Sequence, residues 1–177
     1  YFAITCQSSK LLGLDNYVEM EGLGLRISPT KVRIKSQLPS IYGFGDVDEN
    51  KVYDNVMTKW KWGNFDSLKL YVDKSYMAEV QAMKLVMLRA AIEFDRKGDP
   101  KRASEMANKY FTSFPDMNFP YDSGIMPFIN VLVNSKDFVS VKKQLSILAK
   151  ETKQYLDFYE SQTDKDVFDS FQQDYQY

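Results

Sequence analysis

Apolar positions repeat at two periods along this chain, and the change of period divides it. Up to about residue 45 the period is two or undefined. Tyr1 to Thr5 is aromatic and β-branched, the composition of a short strand. Leu11 to Met20 suits one or two helical turns. Glu21 to Ser28 sets Leu23, Leu25 and Ile27 on alternate positions, as in a strand with one buried face, and Pro29 ends it. Lys31 to Lys35 alternates again with charges on one face, the pattern of an edge strand. Pro39 to Gly45 has the content of a loop.

From residue 46 the period becomes helical. Asp48 predicts an N-cap for a helix to about Trp60, with Val52, Val56 and Trp60 on its apolar face. Gly63-Asn64 stops it. Asn64 to Lys74 is a connection with the apolar anchors Phe65, Leu68 and Leu70. A long helix from Ser75 to about Lys97 carries Met83, Val86, Met87, Ala90, Ala91 and Phe94 at three- and four-residue steps, and Gly98 ends it. Asp99-Pro100 opens the next helix, with proline where its missing N–H costs nothing. Ala103, Ala107, Tyr110 and Phe114 share its face, and Pro115 closes it. A third helix is predicted from Asp122 to Val133 and a fourth from Phe138 to Tyr159. The fourth has a seam of Phe138, Val141, Leu145, Leu148, Thr152, Tyr155 and Tyr159, short enough for antiparallel packing within the domain. The expected fold class is α+β, predominantly α: a β-containing segment 1–45, a helical domain 46–160 and a polar, acidic tail 161–177 around Phe168 and Phe171.

The segment Lys84 to Pro115 resembles a tetratricopeptide repeat, a pair of antiparallel helices with small residues where they cross. Ala91 and Ala103 fall on the small positions, Phe94 on the aromatic of the first helix and Pro115 on the closing proline. Met87 stands where tryptophan is usual, and Ala107 and Tyr110 depart from the pattern. Helices three and four lack it altogether. In such repeats the first helices line a groove that binds peptides, which here places Leu85, Leu88 and Ile92, with Asp95, on the candidate binding face. The alternative is that this face is covered, with the Asp48–Trp60 helix as the natural cover.

Composition narrows the chemistry. The 177 residues contain 23 Lys+Arg, 24 Asp+Glu and no His, a formal net charge of −1. That balance argues against a nucleic-acid partner, which needs a basic stripe. Without histidine there is no Ser-His-Asp triad and no His-ligated zinc. The lone Cys6 has no cysteine of this chain to pair with and no histidine to activate it. No apolar run approaches the roughly 18 residues of a membrane span. The chain opens on a strand-like run without an initiator methionine, so it is read as a piece of a longer protein.

Three groups of residues are candidates for function. Asp46, Asp48 and Asn50 have the alternate spacing of a calcium loop, but Lys51 replaces the required glycine and Met57 the bidentate glutamate. Together with Glu49 they are the only metal or catalytic candidates, and Asp48 as a helix cap accounts for the pattern without a ligand. Trp60, Trp62, Tyr53 and Tyr71 form an aromatic cluster that suits stacking on sugar faces, with Asn64 beside it as a further binding candidate. The same rings also suit core packing, in a chain with 12 Tyr, 12 Phe and 2 Trp. Leu85, Leu88 and Ile92 complete the binding candidates. No cofactor is expected.

The run YFAIT followed by LGLDNYVEMEGLGLRISP resembles the C-terminal region of large bacterial multi-pass membrane proteins of unknown function, related to protein O-mannosyltransferase-like glycosyltransferases. Tyr53-Asp54-Asn55 with Trp62-Gly63-Asn64, and Pro120-Tyr121-Asp122 with Met126-Pro127, extend the likeness over nearly the whole chain. The catalytic acids of that family belong to its membrane portion, so the resemblance implies no catalytic residue here. It implies a non-catalytic accessory domain on the extracytoplasmic (periplasmic) face of a bacterial inner membrane, positioning an acceptor polypeptide or glycan or holding a partner subunit. A metal-dependent enzyme built on Asp46, Asp48 and Glu49 and a pure oligomerisation scaffold are the competing readings.

Overall fold

The computed structural model describes residues 1–31, 43 and 45–161. Beyond Lys31, the edge strand expected at Lys31–Lys35 lies outside the described residues, as do nearly all of the Pro39–Gly45 loop and the tail after Ser161.

Among the described residues four short strands form one sheet in the order β1-β3-β2-β4. These are β1 (Phe2–Ala3), β2 (Val18–Met20), β3 (Gly24–Ile27) and β4 (Asp46–Val47). β3 runs antiparallel to both β1 and β2, and β4 pairs parallel to β2. The register sets Met20 beside both Leu25 and Val47, and all three are buried. Glu19 faces Arg26 on the other side of the pleat and forms an ion pair with it. Two sequence expectations change here. The helical turns expected over Leu11–Met20 are 3-10 turns at Ser8–Leu11 and Asp15–Tyr17, followed by β2. Of the alternating Leu23, Leu25 and Ile27, only Leu25 is buried, because Leu23 sits in the hairpin turn and Ile27 at the strand's end.

The sheet crosses the residue 45/46 division. Gly45 makes this possible: its φ is +77°, and a Cβ there would lie 2.7 Å from the Val18 carbonyl oxygen. Only glycine lets the chain turn so close to β2.

Five α-helices follow among the described residues: α1 (Glu49–Asp54), α2 (Met77–Arg96), α3 (Pro100–Ser113), α4 (Met126–Asn134) and α5 (Phe138–Ser161). α1 continues through a wider π turn at Asn55–Lys59. The caps at Asp48 and Asp99 are those the sequence predicts, and Asp137, expected only as part of a turn, adds a third. Asp48 Oδ1 accepts from Lys51 N at 3.1 Å, and Asp99 Oδ1 from Arg102 N at 3.1 Å. Asp137 Oδ1 accepts from Ser140 N at 3.2 Å at the start of α5. Each satisfies a backbone donor that the helix leaves orphaned. α2 and α4 are preceded by 3-10 turns, capped by Asp73 and Asp122.

The predominantly α fold is thus as expected, and its core lies where the small residues place it. Ala90 and Ala91 of α2 and Ala103 and Ala107 of α3 are fully buried at the crossing of the hairpin. α2 packs on both α3 and α4. Tyr110 of α3 stacks on Phe128 of α4 with ring centres 4.2 Å apart. Arg89 of α2 is buried and ties the helices to the sheet, donating to the Gly45 carbonyl at 2.8 Å. Burial lowers its pKa, and the nearby Asp46 and Glu93 oppose that shift. No described helix is long and apolar enough to cross a membrane.

Candidate functional site

The connection between α1 and α2 carries no regular structure over most of its length, yet it is held in place. Asn118, buried in the loop after α3, is the clamp. Its Oδ1 accepts from Leu70 N at 2.7 Å, and its Nδ2 donates to the carbonyls of Phe65 at 2.8 Å and Leu68 at 2.7 Å. An amide can both donate and accept, so one side chain fixes three points of the connection. Phe65 adds an edge-to-face contact with Phe119 at 5.0 Å, and Phe119 meets Phe114 at 5.2 Å. Such pairs contribute about 0.5–1.5 kcal/mol each beyond their burial.

Held this way, the connection stands off from the first turns of α2 and leaves a cleft of 350 Å³. Phe65, Leu70, Val72, Val80, Met83 and Phe114 supply apolar wall, and the rings of Tyr71 and Tyr76 stand at it, mostly exposed. Glu79 is the only charged group in the lining and makes no ion pair or hydrogen bond among the described residues. The volume falls in the lower part of the ~300–1,000 Å³ range of ligand pockets, and the apolar wall with one polar group fits their usual make-up.

The candidates named from sequence are distributed unevenly about this cleft. Tyr71 lines it. Trp62 lies behind it, its ring 5.8 Å from Phe114 edge-to-face, with the Lys109 ammonium 5.1 Å above it. Trp60 is half-buried beside Gly22 and 5.6 Å from Trp62. Asn64 holds a left-handed turn at φ +58°. The groove candidates are elsewhere. Leu88 is buried and Leu85 and Ile92 are half-buried, with Leu85 facing Gly43. Asp95 on the same helix accepts from Asn134 of α4 at 2.7 Å. α1 packs instead near Phe94, where Tyr53 meets that ring at 5.7 Å and donates to Glu105 at 2.5 Å. The Glu105 carboxylate, aided by burial, pushes the Tyr53 hydroxyl up to about 12.

Two of the three carboxylates proposed as metal candidates have a cationic partner, and Asp46 has none at hydrogen-bond distance among the described residues. Asp46 is buried on β4, near enough to Arg89 to act on it electrostatically, but its Oδ1 has no hydrogen-bond partner among the described residues. Asp48 caps α1 and pairs with Lys51 at 3.2 Å. Glu49 pairs with Lys97 at 2.5 Å. The tightest carboxylate group is a different one: Glu19, Glu21 and Asp48 bring oxygens within 4.8 Å of one another. Arg26 and Lys51 already pair with all three, Lys51 reaching Glu21 at 2.6 Å and Asp48 at 3.2 Å. Burial pushes the Glu21 carboxyl up, but hydrogen bonds from Lys51, Tyr1 and Arg26 prevail and hold it below its usual range.

Sequence reading missed the residues that give the cleft its depth. Met83 was read as helix core, Val80 was not singled out, and Asn118 carried no signal because its partners are about fifty residues away. Tyr76 and Glu79 open a helix and look like ordinary surface. Compared with known protein families, curated proteins and solved structures, the chain matches none.

Proposed function

We propose that this chain is a non-catalytic interaction domain that holds a polypeptide partner by inserting one bulky apolar side chain of that partner into the aromatic cleft. The observation that carries this reading is the lining. Its walls are apolar, and its one charge is an unpaired carboxylate, Glu79. A ligand with an apolar anchor beside a Lys or Arg fits both features, since the anchor leaves water and the cation faces the carboxylate. In the setting that the sequence resemblance implies, the partner is an acceptor polypeptide or a partner subunit at the extracytoplasmic side of a membrane glycosyltransferase-like protein.

A second reading has its own observation. Tyr71 and Tyr76 are 91% and 63% exposed, and free rings of this kind stack on the apolar faces of sugars. The two readings separate in one titration. Short peptides pairing Leu, Phe or Trp with Lys, and neutral oligosaccharides, are titrated while tryptophan fluorescence is followed, because Trp62 touches the Phe114 wall. The peptide reading expects saturation by the basic peptides. It also expects Val80→Arg to weaken them about tenfold or more by filling the cleft, and Glu79→Lys to reverse the charge preference. Equal binding to Val80→Arg refutes it. Response to oligosaccharides alone, abolished by Tyr71→Ala, transfers the cleft to the glycan reading.

A further inference from the structure

A second cleft lies between α3, the first half of α5 and the α1–α2 connection at Asp66. It has a volume of 260 Å³ and is lined by Asp66, Asn108, Phe111, Thr112, Pro115, Ser140, Lys143 and Gln144. Its chemistry is the opposite of the aromatic cleft. Hydroxyls, amides and both signs of charge surround a small apolar floor, Phe111 and Pro115.

Gln144 is the unusual member. It is the single buried residue of α5, with 4% of its surface exposed. Its Oε1 is shut off from water without a partner, and no described residue hydrogen-bonds either end of the amide. A buried amide left unpaired costs about 1–3 kcal/mol, so a helix that buries one calls for an explanation. A half-turn of the amide presents either its N–H donors or its oxygen to the cleft. Asp66 and Lys143 sharpen the picture. Both are exposed, both line the cleft, and neither makes an ion pair or hydrogen bond among the described residues. Two unlike charges therefore face one space without neutralising each other.

We propose that this cleft binds a free α-amino acid with a small apolar side chain. The carboxylate meets the Lys143 ammonium and the Gln144 amide. The ligand's ammonium meets Asp66, and its side chain lies on Phe111 and Pro115. Charge-assisted hydrogen bonds at both ends give the site its selectivity. A cleft of this size suits a ligand of one residue, being smaller than the ~300–1,000 Å³ of pockets for drug-sized molecules. The cleft also joins α5 to α3, so occupancy stabilises that contact by mass action.

The test uses the full chain, labelled with ¹⁵N, and three ligands that differ by one charged group: L-valine, isovalerate and isobutylamine. L-Valine is expected to shift the Gln144 side-chain amide and the backbone amides of Thr112 and Ser140 to saturation. Isovalerate, without the ammonium, and isobutylamine, without the carboxylate, are expected to bind about tenfold or more weakly, each having lost a charge-assisted contact. Lys143→Met and Asp66→Asn should each weaken valine by about the same factor. Both residues are exposed, so an unchanged melting temperature confirms that these variants are folded. Lys143→Met should leave isobutylamine unaffected. No saturable shift with valine, an equal response to all three ligands, or valine binding unchanged in both variants overturns the proposal.

Discussion

α3 and α5 carry the same kind of amphipathic pattern, and the structure treats them differently. α3 buries Ala103, Met106, Ala107, Tyr110, Phe111 and Ser113. α5 is the longer helix and buries only Gln144. Its seam was expected to pack antiparallel within the domain. Within it Val141 and Leu148 are half-buried, while Phe138, Leu145 and Tyr155 are exposed. The cause is position in the stack. α3 has α2 on one side and α4 on the other, whereas the main helical neighbour of α5 is α4. Periodicity dictates that a helix has an apolar stripe; the number of neighbours decides how much of it is covered.

The contrast can be broken most forcefully at the α3–α4 contact. Phe128→Ala removes a fully buried ring that stacks on Tyr110 and lies 6.0 Å from Phe111. It should cost about 3–5 kcal/mol, the usual loss for a buried phenylalanine. Urea unfolding measures it directly. A loss under about 1 kcal/mol would mean that α3 is no better supported than α5. Overpacking the hairpin is the next largest effect. Ala91→Leu forces extra methylenes into the fully buried crossing of α2 and α3, at a cost of about 1–3 kcal/mol. The same change at the exposed Ala149 of α5 should be nearly silent.

These sites also mark where the sequence was legible. Asp48 and Asp99 announce their helices because capping is local: the aspartate and the amide it accepts from are three residues apart. The alanines of the hairpin were legible for a similar reason, since a small residue at helical spacing has few other uses. β2 and β4 were not. They span three and two residues, too short for a period of two to stand out, and β4 exists only because β2 is beside it. The aromatic cleft was half legible. Tyr71 was named, but the cleft's depth depends on Asn118 gripping residues 65–70 from the loop that follows α3. Such pairing across about fifty residues leaves no local pattern.

A third effect acts on two helix starts alike, through pH. The Arg102 backbone N–H and guanidinium hold the Asp99 carboxyl below its usual range. For Asp137, burial pushes upward, but hydrogen bonds from Asn108, Ser104 and Ser140 outweigh it and leave the value lowered. A carboxyl depressed in the folded state contributes stability above its unfolded pKa, near 4, and loses it as pH falls through the folded value. Both starts should therefore weaken below about pH 4. Asp99→Ala at neutral pH should cost about 0.5–2 kcal/mol, as for other lost caps. Asp137→Ala should also free α5 from α3, because Asp137 Oδ2 accepts from Ser104 Oγ and Asn108 Nδ2 at 2.8 Å each. Hydrogen exchange should then rise along α5 and stay unchanged in α3. A rise in α3 alone would contradict the assignment of Asp137 as the tie between them.

The smallest expected effect is the most informative about α5. Leu156 is 44% exposed and Tyr155 53%, on the outer half of the helix. If that half has no cover within the chain, Leu156→Lys removes little buried apolar area. Stability should then stay within about 0.5 kcal/mol of the parent, as for ordinary surface substitutions. Lysine is as good a helix former as leucine, so propensity does not confuse the result. A melting temperature that falls by several degrees at dilute concentration would mean that Leu156 is covered by some other part of the chain. A fall seen only at high concentration would place the cover on a second molecule, because association stabilises in proportion to the concentration of the partner. Unchanged stability at every concentration leaves the difference between α3 and α5 as a property of the single chain: one helix held on two sides, the other on one.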